Sequence, residues 1–468
     1  MVAWLLALCP LLAACISLDL RQSELTAPLA SYYWAGKNGD ALRTGYSEFV
    51  VTHAVEGGPT WSFHEPASAE SNLKLHQMGY PDYKGLVRAA PLIDDGKHIY
   101  LTTVTSGNVY KFTAEGEQVW KYNAGPGRQI PDIGALMAGR LFVGTDKGET
   151  IAVDMDTGRE VWKSKTFPAS AGDTWAVTAV EGVVISSGAL APGQNNRVLA
   201  ALNATDGRLM WHFVSPVADI YNTLAAIKDG MAVFSDSKGT VFKVRLSTGK
   251  EVWRVPTPRL GTFTTGGTVI GPNGVVYTTW NEGTHRGMEW GHGIIGAFNF
   301  STGTSLWSTN VGYMANNAAV VGKLASGHLG VVIGVGENPD IPRPKFGIRD
   351  GQGPVKKQQI IALDAITGAF LWKYQLPDWH GSALGDEHRP DICLPDAFGN
   401  AAIGGDGTVY IGHASGLLYS IQDRNGDGQI SESEVSTWQT GAAFQGTPAI
   451  APGLLAATPC DGLHVWRM

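Results

Sequence analysis

Short apolar runs alternate with turn residues along most of this chain, and one phrase recurs where they end. An apolar or alternating stretch leads to Asp or Asn, then Thr-Gly or Asp-Gly, then three or four residues and a tryptophan. The copies are "TIAVDMDTGREVW" to Trp162, "VLAALNATDGRLMW" to Trp211, "TVFKVRLSTGKEVW" to Trp253, "IIGAFNFSTGTSLW" to Trp307 and "IIALDAITGAFLW" to Trp372. A looser copy, "NVYKFTAEGEQVW", ends at Trp120. Successive tryptophans lie 42, 49, 42, 54 and 65 residues apart, a period that belongs to stacked supersecondary units.

Each copy reads as a β-hairpin. Alternation such as Ile151, Val153 and Leu199, Ala201 suits a strand with a buried face. The glycine supplies the positive φ of a tight reversal. A tryptophan after the turn buries a large ring between neighbouring sheets while its N–H keeps a partner. Further strands precede the hairpins, as in 89–103, 230–239 and 274–280. Four strands per unit at this period predict propeller blades.

The six hairpins are followed by a seventh unit at 407–423, closing near Trp438. The C-terminus then offers only three strands, in 446–452, 454–459 and 463–468, and "GPTWSF" at 58–63 supplies a fourth. The pattern therefore predicts an all-β, eight-bladed β-propeller closed by an N-terminal strand, which leaves no bare sheet edge at the closure.

These repeats resemble the PQQ-repeat family of eight-bladed propellers, which includes quinoprotein alcohol dehydrogenases and BamB-like assembly lipoproteins. The stretch "WAGKNGDALRTGYSE" at 34–48, followed by Trp61, is similar to the opening segment of that family. The resemblance covers about residues 34–468 and implies the fold; one fold hosts many functions, so it leaves the activity open.

Composition narrows the setting. Sixty glycines and only 16% charged residues suit a turn-dense β protein. A net charge of −7 without a basic stripe gives no footprint for nucleic acid. Residues 1–18 form a short apolar run broken by Pro10, which reads as a cleaved signal peptide. Leu12-Ala13-Ala14-Cys15 resembles a bacterial lipobox, with Cys15 as the lipidated residue, although the segment lacks the usual basic start. A eukaryotic secretory signal cut near Ala14 competes with it, and Asn203 and Asn299 would then lie in glycosylation sequons. Both readings place the chain outside the cytosol, secreted or as a periplasmic or outer-membrane lipoprotein. The expected domains are a signal peptide at 1–14, an extension at 15–57 and the propeller at 58–468.

Beyond the signal and Cys15, the cysteines are Cys393 and Cys460. An exported chain with two cysteines predicts one disulfide. Strand parity agrees, because it puts both on the face carrying the inter-blade loops, in neighbouring blades.

Residues 423–434 match a twelve-residue calcium loop of EF-hand type. Asp423, Asn425 and Asp427 offer side-chain oxygens, Gln429 its carbonyl, Ser431 a water-mediated contact and Glu434 a bidentate carboxylate, with Gly428 at the sharp turn. Oxygen donors at this spacing suit Ca²⁺. The loop is entered from a strand and replaces the hairpin turn of the seventh blade, so it reads as a structural clip.

The longest insertions, at 64–85, 281–293, 336–359 and 377–396, share one face, where recognition on a rigid ring is expected. They contain His285, His292, His380, Asp386, Glu387, His388 and Asp391 as weak metal candidates, and Trp280 and Trp290 as candidate stacking surfaces. Loop packing and core packing are the ordinary roles of such residues.

The chain thus reads first as a non-catalytic scaffold or assembly factor that docks a protein on its loop-rich face. The alternative is a PQQ-dependent quinoprotein oxidoreductase. The resemblance implies features for that activity that the sequence lacks, namely adjacent cysteines over the cofactor and a Cys-x-x-Cys-His haem site. No Gly-x-Ser-x-Gly or phosphate loop supports a hydrolase.

Overall fold

The structure is a computed structural model describing residues 32–66, 85–131, 133–171, 175–222, 225–257, 263–283, 291–340, 355–386, 393 and 395–468. Eight four-stranded antiparallel sheets are arranged as a propeller. The inner strands of blades 1 to 8 are Leu92–Ile93, Ala135–Met137, Thr178–Val180, Ala226–Lys228, Thr268–Ile270, Val320–Lys323, Ala402–Ile403 and Ala449–Ala451. The outer strands of blades 1 to 7 are Gln118–Asn123, Glu160–Lys165, Leu209–Val214, Glu251–Val255, Ser305–Asn310, Phe370–Gln375 and Val435–Gln439. Blade 8 takes its outer strand, Trp61–Phe63, from the N-terminal side, paired Trp61 to Val465 and Phe63 to Leu463. The eight blades and the closing strand agree with the sequence pattern. The helical elements among the described residues are the short 3-10 turns Val55–Gly57 and Glu432–Glu434, and none is long and apolar enough to cross a membrane.

The recurring phrase has a physical explanation that spans two blades. In blades 1 to 6 the register between third and outer strands shifts at one place, as at Lys111/Phe112 and Ala152/Val153. The extra residue is the one before the tryptophan: Val119, Val161, Met210, Val252 and Leu306 are bulged and each 42–50% exposed. A bulge re-aims the next side chain, and here it turns the tryptophan toward the following blade. There the indole Nε1 donates to a carbonyl beside that blade's hairpin turn. The pairs are Trp61 to Ala114 (2.9 Å), Trp120 to Met155 (2.9 Å), Trp162 to Ala204 (3.0 Å), Trp211 to Leu246 (2.7 Å), Trp253 to Phe300 (3.3 Å) and Trp307 to Ala365 (3.2 Å).

The turn glycine completes the joint. Gly116, Gly158, Gly207, Gly249, Gly303 and Gly368 all have positive φ, and a Cβ on any of them would come within 2.6–3.0 Å of the preceding blade's tryptophan. The position therefore needs glycine twice, for its backbone angle and for the ring lying on it.

Blade 7 breaks this pattern. Its third and outer strands pair without a register shift, Leu417 opposite Gln439 and Ile421 opposite Val435. Loop 423–434 stands where the hairpin turn would be. Gly428 has positive φ but faces the Leu371 carbonyl of blade 6, not an indole. Ile430 packs against the apolar cluster that contains Trp372. Trp372 donates no such inter-blade bond among the described residues. Trp438 of blade 7 meets Gly58 of the N-terminal segment and stacks edge-on to His464 and Trp466.

Candidate functional site: the propeller axis and its two faces

One end of the axis is occupied by residues 34–47. Their backbone pairs with the inner strands in turn: Trp34 exchanges bonds with Ile93, and Ala35, Ala41, Leu42, Thr44 and Gly45 accept from Leu136, Ile227, Ile270, Val321 and Ile403. Side chains reach the remaining blades. Arg43, 2% exposed, donates Nη2 to Thr178 Oγ1 (2.6 Å) in blade 3 and Nε to the Ala225 carbonyl (3.1 Å) before blade 4. Burial lowers its pKa to about 10, against the opposing pull of the Asp40 charge. Asn38 Oδ1 accepts from Asn400 Nδ2 (2.9 Å) and Thr447 Oγ1 (3.2 Å) ahead of blades 7 and 8. Fourteen residues thus touch every blade, which is why the segment tolerates so little exposed polar surface.

The opposite face carries the inter-blade loops and a polar cluster at the entrances to the inner strands of blades 5, 6 and 7. Asp396 Oδ2 accepts from the Thr265 hydroxyl, and Oδ1 accepts from Asn338 Nδ2 (3.0 Å). Asn281 Nδ2 donates to Asn316 Oδ1 (2.5 Å) and to the Phe263 carbonyl (2.8 Å), while its Oδ1 accepts from Ala315 N–H (2.9 Å). Asn317 Nδ2 donates to the Phe398 carbonyl of the next blade's entrance. The Asn316 Nδ2 group is buried with no partner among the described residues. Such a group is costly unless something accepts from it. The cluster gathers a carboxylate, amide donors and amide acceptors at the entrances to three neighbouring blades. Sequence inspection missed it, because Thr265 and Asp396 are 131 residues apart and no local motif joins them.

On the hairpin face lies loop 423–434. Asp423 Oδ1 and Oδ2 accept from Gly426 N–H (2.8 Å) and Gly428 N–H (3.2 Å). Asn425 Oδ1 accepts from Asp427 N–H (3.0 Å), and Asp427 Oδ1 from Gln429 N–H (2.7 Å). Glu434 Oε1 takes Arg424 N–H (2.8 Å), and Oε2 takes both Ser431 N–H (2.9 Å) and Ser431 Oγ–H (2.7 Å). Those Ser431 bonds, foremost the backbone one, lower the Glu434 pKa to about 2. The loop's carboxylates are thus turned onto its own backbone. Among the described residues no three His, Cys, Asp or Glu side chains form a group able to hold a metal ion.

Cys393 and Cys460 are joined by a disulfide with Cα atoms 5.9 Å apart, on the loop face between the entrance to blade 7 and blade 8. The other sequence candidates disperse. Trp280 is 2% exposed, with Gly239 and Gly296 against its ring, and donates Nε1 to Glu282 Oε1 (3.2 Å), so it is core. Asp386 is buried and accepts from Cys393 N–H (2.7 Å). His380 sits in the small strand Trp379–His380, which pairs with Val355–Lys356, and His292 starts the third strand of blade 5. Cys15, His285, Trp290, Glu387, His388 and Asp391 lie outside the described residues.

Residues 105–329 match the family model described as outer membrane protein assembly factor BamB. Quinohemoprotein alcohol dehydrogenase ADH IIB of Pseudomonas putida is 28% identical over 38% of this chain and 29% of its own length. Polyvinylalcohol dehydrogenase of Sphingopyxis is 27% identical over 77% of this chain and 56% of its own length. The matches therefore span less than two thirds of these relatives. The crystal structure of BamB from Moraxella catarrhalis shares the fold, with a TM-score of 0.56 at 16% identity over 81% of this chain and 96% of that one. The chain is thus an eight-bladed propeller similar in sequence both to BamB-like assembly factors and to quinoprotein dehydrogenases.

Proposed function

We propose that this chain is an extracytoplasmic scaffold that docks a protein partner on its loop-rich face. The observation that carries this reading is that the chain's own groups bond to one another at both ends of the inner strands. Arg43 and Asn38 fill one end, and at the other both Asp396 oxygens are bonded to side chains from blades 5 and 6. The expected domains fit it: a signal peptide at 1–14, an extension at 15–57 and a propeller at 58–468, with Cys15 lipidated or the chain secreted. Mass analysis of the mature N-terminus separates those two addresses.

A specific observation favours a second reading, a PQQ-dependent oxidoreductase. The unpaired Asn316 amide is the kind of donor that the oxygens of a quinone cofactor would take. When bound, the quinone supplies the two-electron acceptor. Titration of PQQ into the calcium-loaded protein, followed by tryptophan fluorescence, decides between the two. The scaffold reading expects no saturable quenching at micromolar ligand, and saturable quenching overturns it.

We also propose that loop 423–434 holds calcium as a structural clip through Asp423, Asn425, Asp427, Gln429, Ser431 and Glu434. The all-oxygen donor set supports this. The ion would compete with the backbone N–H groups now bonded to these side chains. Calorimetric titration with Ca²⁺ tests it directly, and an unchanged melting curve in chelator removes it.

A further inference from the structure

We infer that the Cys393–Cys460 bond seats blade 7 in the ring, so that the propeller closes fully only where thiols are oxidised. Six consecutive seams, from blades 8 and 1 through blades 5 and 6, are tied by an indole donating to the next blade's turn. Blade 7 has that joint on neither side. At the blade 6 side Trp372 makes no such bond among the described residues, and at the blade 8 side Trp438 faces Gly58 instead of a hairpin.

Other devices hold this sector. The segment 49–57 runs outward along blade 7: Tyr410 Oη donates to the Thr52 carbonyl (2.9 Å), and Val55 N–H donates to Ser436 Oγ (3.0 Å). The disulfide is the covalent one. Its cysteines are 67 residues apart in sequence, so the closed loop contains all four strands of blade 7. Both cysteines are buried, 2% and 0% exposed, in an apolar cluster with Leu86, Val104, Ala383 and Ala443. Backbone bonds run through that cluster from the blade 6–7 connection to blade 1: Ala443 N–H to Leu384, Cys460 N–H to Ala443, Val87 N–H to Cys460. The bond therefore pins the entrance of blade 7 to the one strand connection that also anchors the start of blade 1.

Forming it joins the two Sγ atoms and releases two protons. The two electrons pass to a disulfide-exchange partner, whose own S–S bond is reduced to two thiols. A cytosolic chain, held reduced, would lack this last fastening, and an exported one would gain it.

The test is hydrogen exchange of the full-length protein, oxidised and dithiothreitol-reduced, at fixed calcium. Alkylation mass selects molecules with both thiols free. A Cys393→Ala/Cys460→Ala variant is measured alongside, so that slow reduction of a buried bond does not hide the effect. Expected is at least tenfold faster exchange in 402–439, with less than a twofold change across blades 3 and 4. Unchanged exchange in blade 7, or an equal acceleration of all blades, overturns the inference.

Discussion

Blades 1 to 6 and blade 7 solve the same problem by different means. In the five seams between blades 1 and 6 a bulge, an indole N–H and a glycine recur as one joint, and each joint is made of residues from two consecutive repeats. Blade 7 has neither the bulge nor the hairpin turn, and a twelve-residue loop stands in the turn's place. The positive-φ glycine seats the ring in every joint; in blades 1 to 5 a bulge precedes the ring, whereas Trp61 reaches the same kind of seat from a strand paired without a register shift. The contacts of blade 7 to the rest of the ring include a disulfide, the N-terminal segment and the loop's own Ile430.

The difference can be broken at several points. The largest effect is expected from removing the disulfide. Closing a loop of this length is worth about 4 kcal/mol in the chain-entropy model, so the Cys393→Ala/Cys460→Ala variant should lose most of that in chemical denaturation, concentrated in blade 7.

Acid comes next. His413, in blade 7, is buried, and burial lowers its pKa to about 3. Its Nδ1 accepts from Ser415 N–H (3.1 Å), leaving Nε2–H to donate to Gln358 Oε1 (2.6 Å) of blade 6. The unfolded chain binds this proton below about pH 6.5 while the folded one does not. Stability from this group is therefore complete above pH 6.5 and falls as pH drops toward 3, by roughly 3 kcal/mol at pH 4. Denaturation of a His413→Gln variant should show a shallower loss over that window than the parent. Glu434 acts lower on the scale: its depressed pKa adds stability above the ordinary carboxylate range that is lost as pH falls toward 2.

Glycine substitution sharpens the contrast. Gly158→Ala puts a Cβ 2.7 Å from the Trp120 ring at a φ of +68°, so strain and clash combine to about 2–3 kcal/mol. Gly426→Ala in the loop has the same kind of φ, +70°, and open space, so only strain, about 1 kcal/mol, should appear. Thermal melts of the two variants check the ordering.

Much of the ring was legible because a propeller writes its period into the chain. The turn glycine and the tryptophan fall four residues apart in each repeat, and the strand around Trp61 had no other place to go. What the sequence hides lies between repeats. The partner of Trp162 is a carbonyl 42 residues away, and a carbonyl has no residue signature. The stretch 34–48 was recognisable by likeness, yet nothing local says that Arg43 reaches two blades or that Asn38 reaches two others. The Asp396 cluster draws on three blade entrances and so has no spacing to find. Loop 423–434 was the reverse case, a strong local motif whose carboxylates the fold turns onto their own backbone.

The central claim is that six seams share a tryptophan joint that the blade 6–7 seam lacks. A scan of Trp→Phe at positions 120, 162, 211, 253, 307 and 372, read by chemical denaturation, tests it most directly. Removing the indole N–H while keeping an aromatic ring should cost about 1 kcal/mol more at each of the first five than at Trp372, where no inter-blade bond is lost. Equal costs at all six positions would contradict the account.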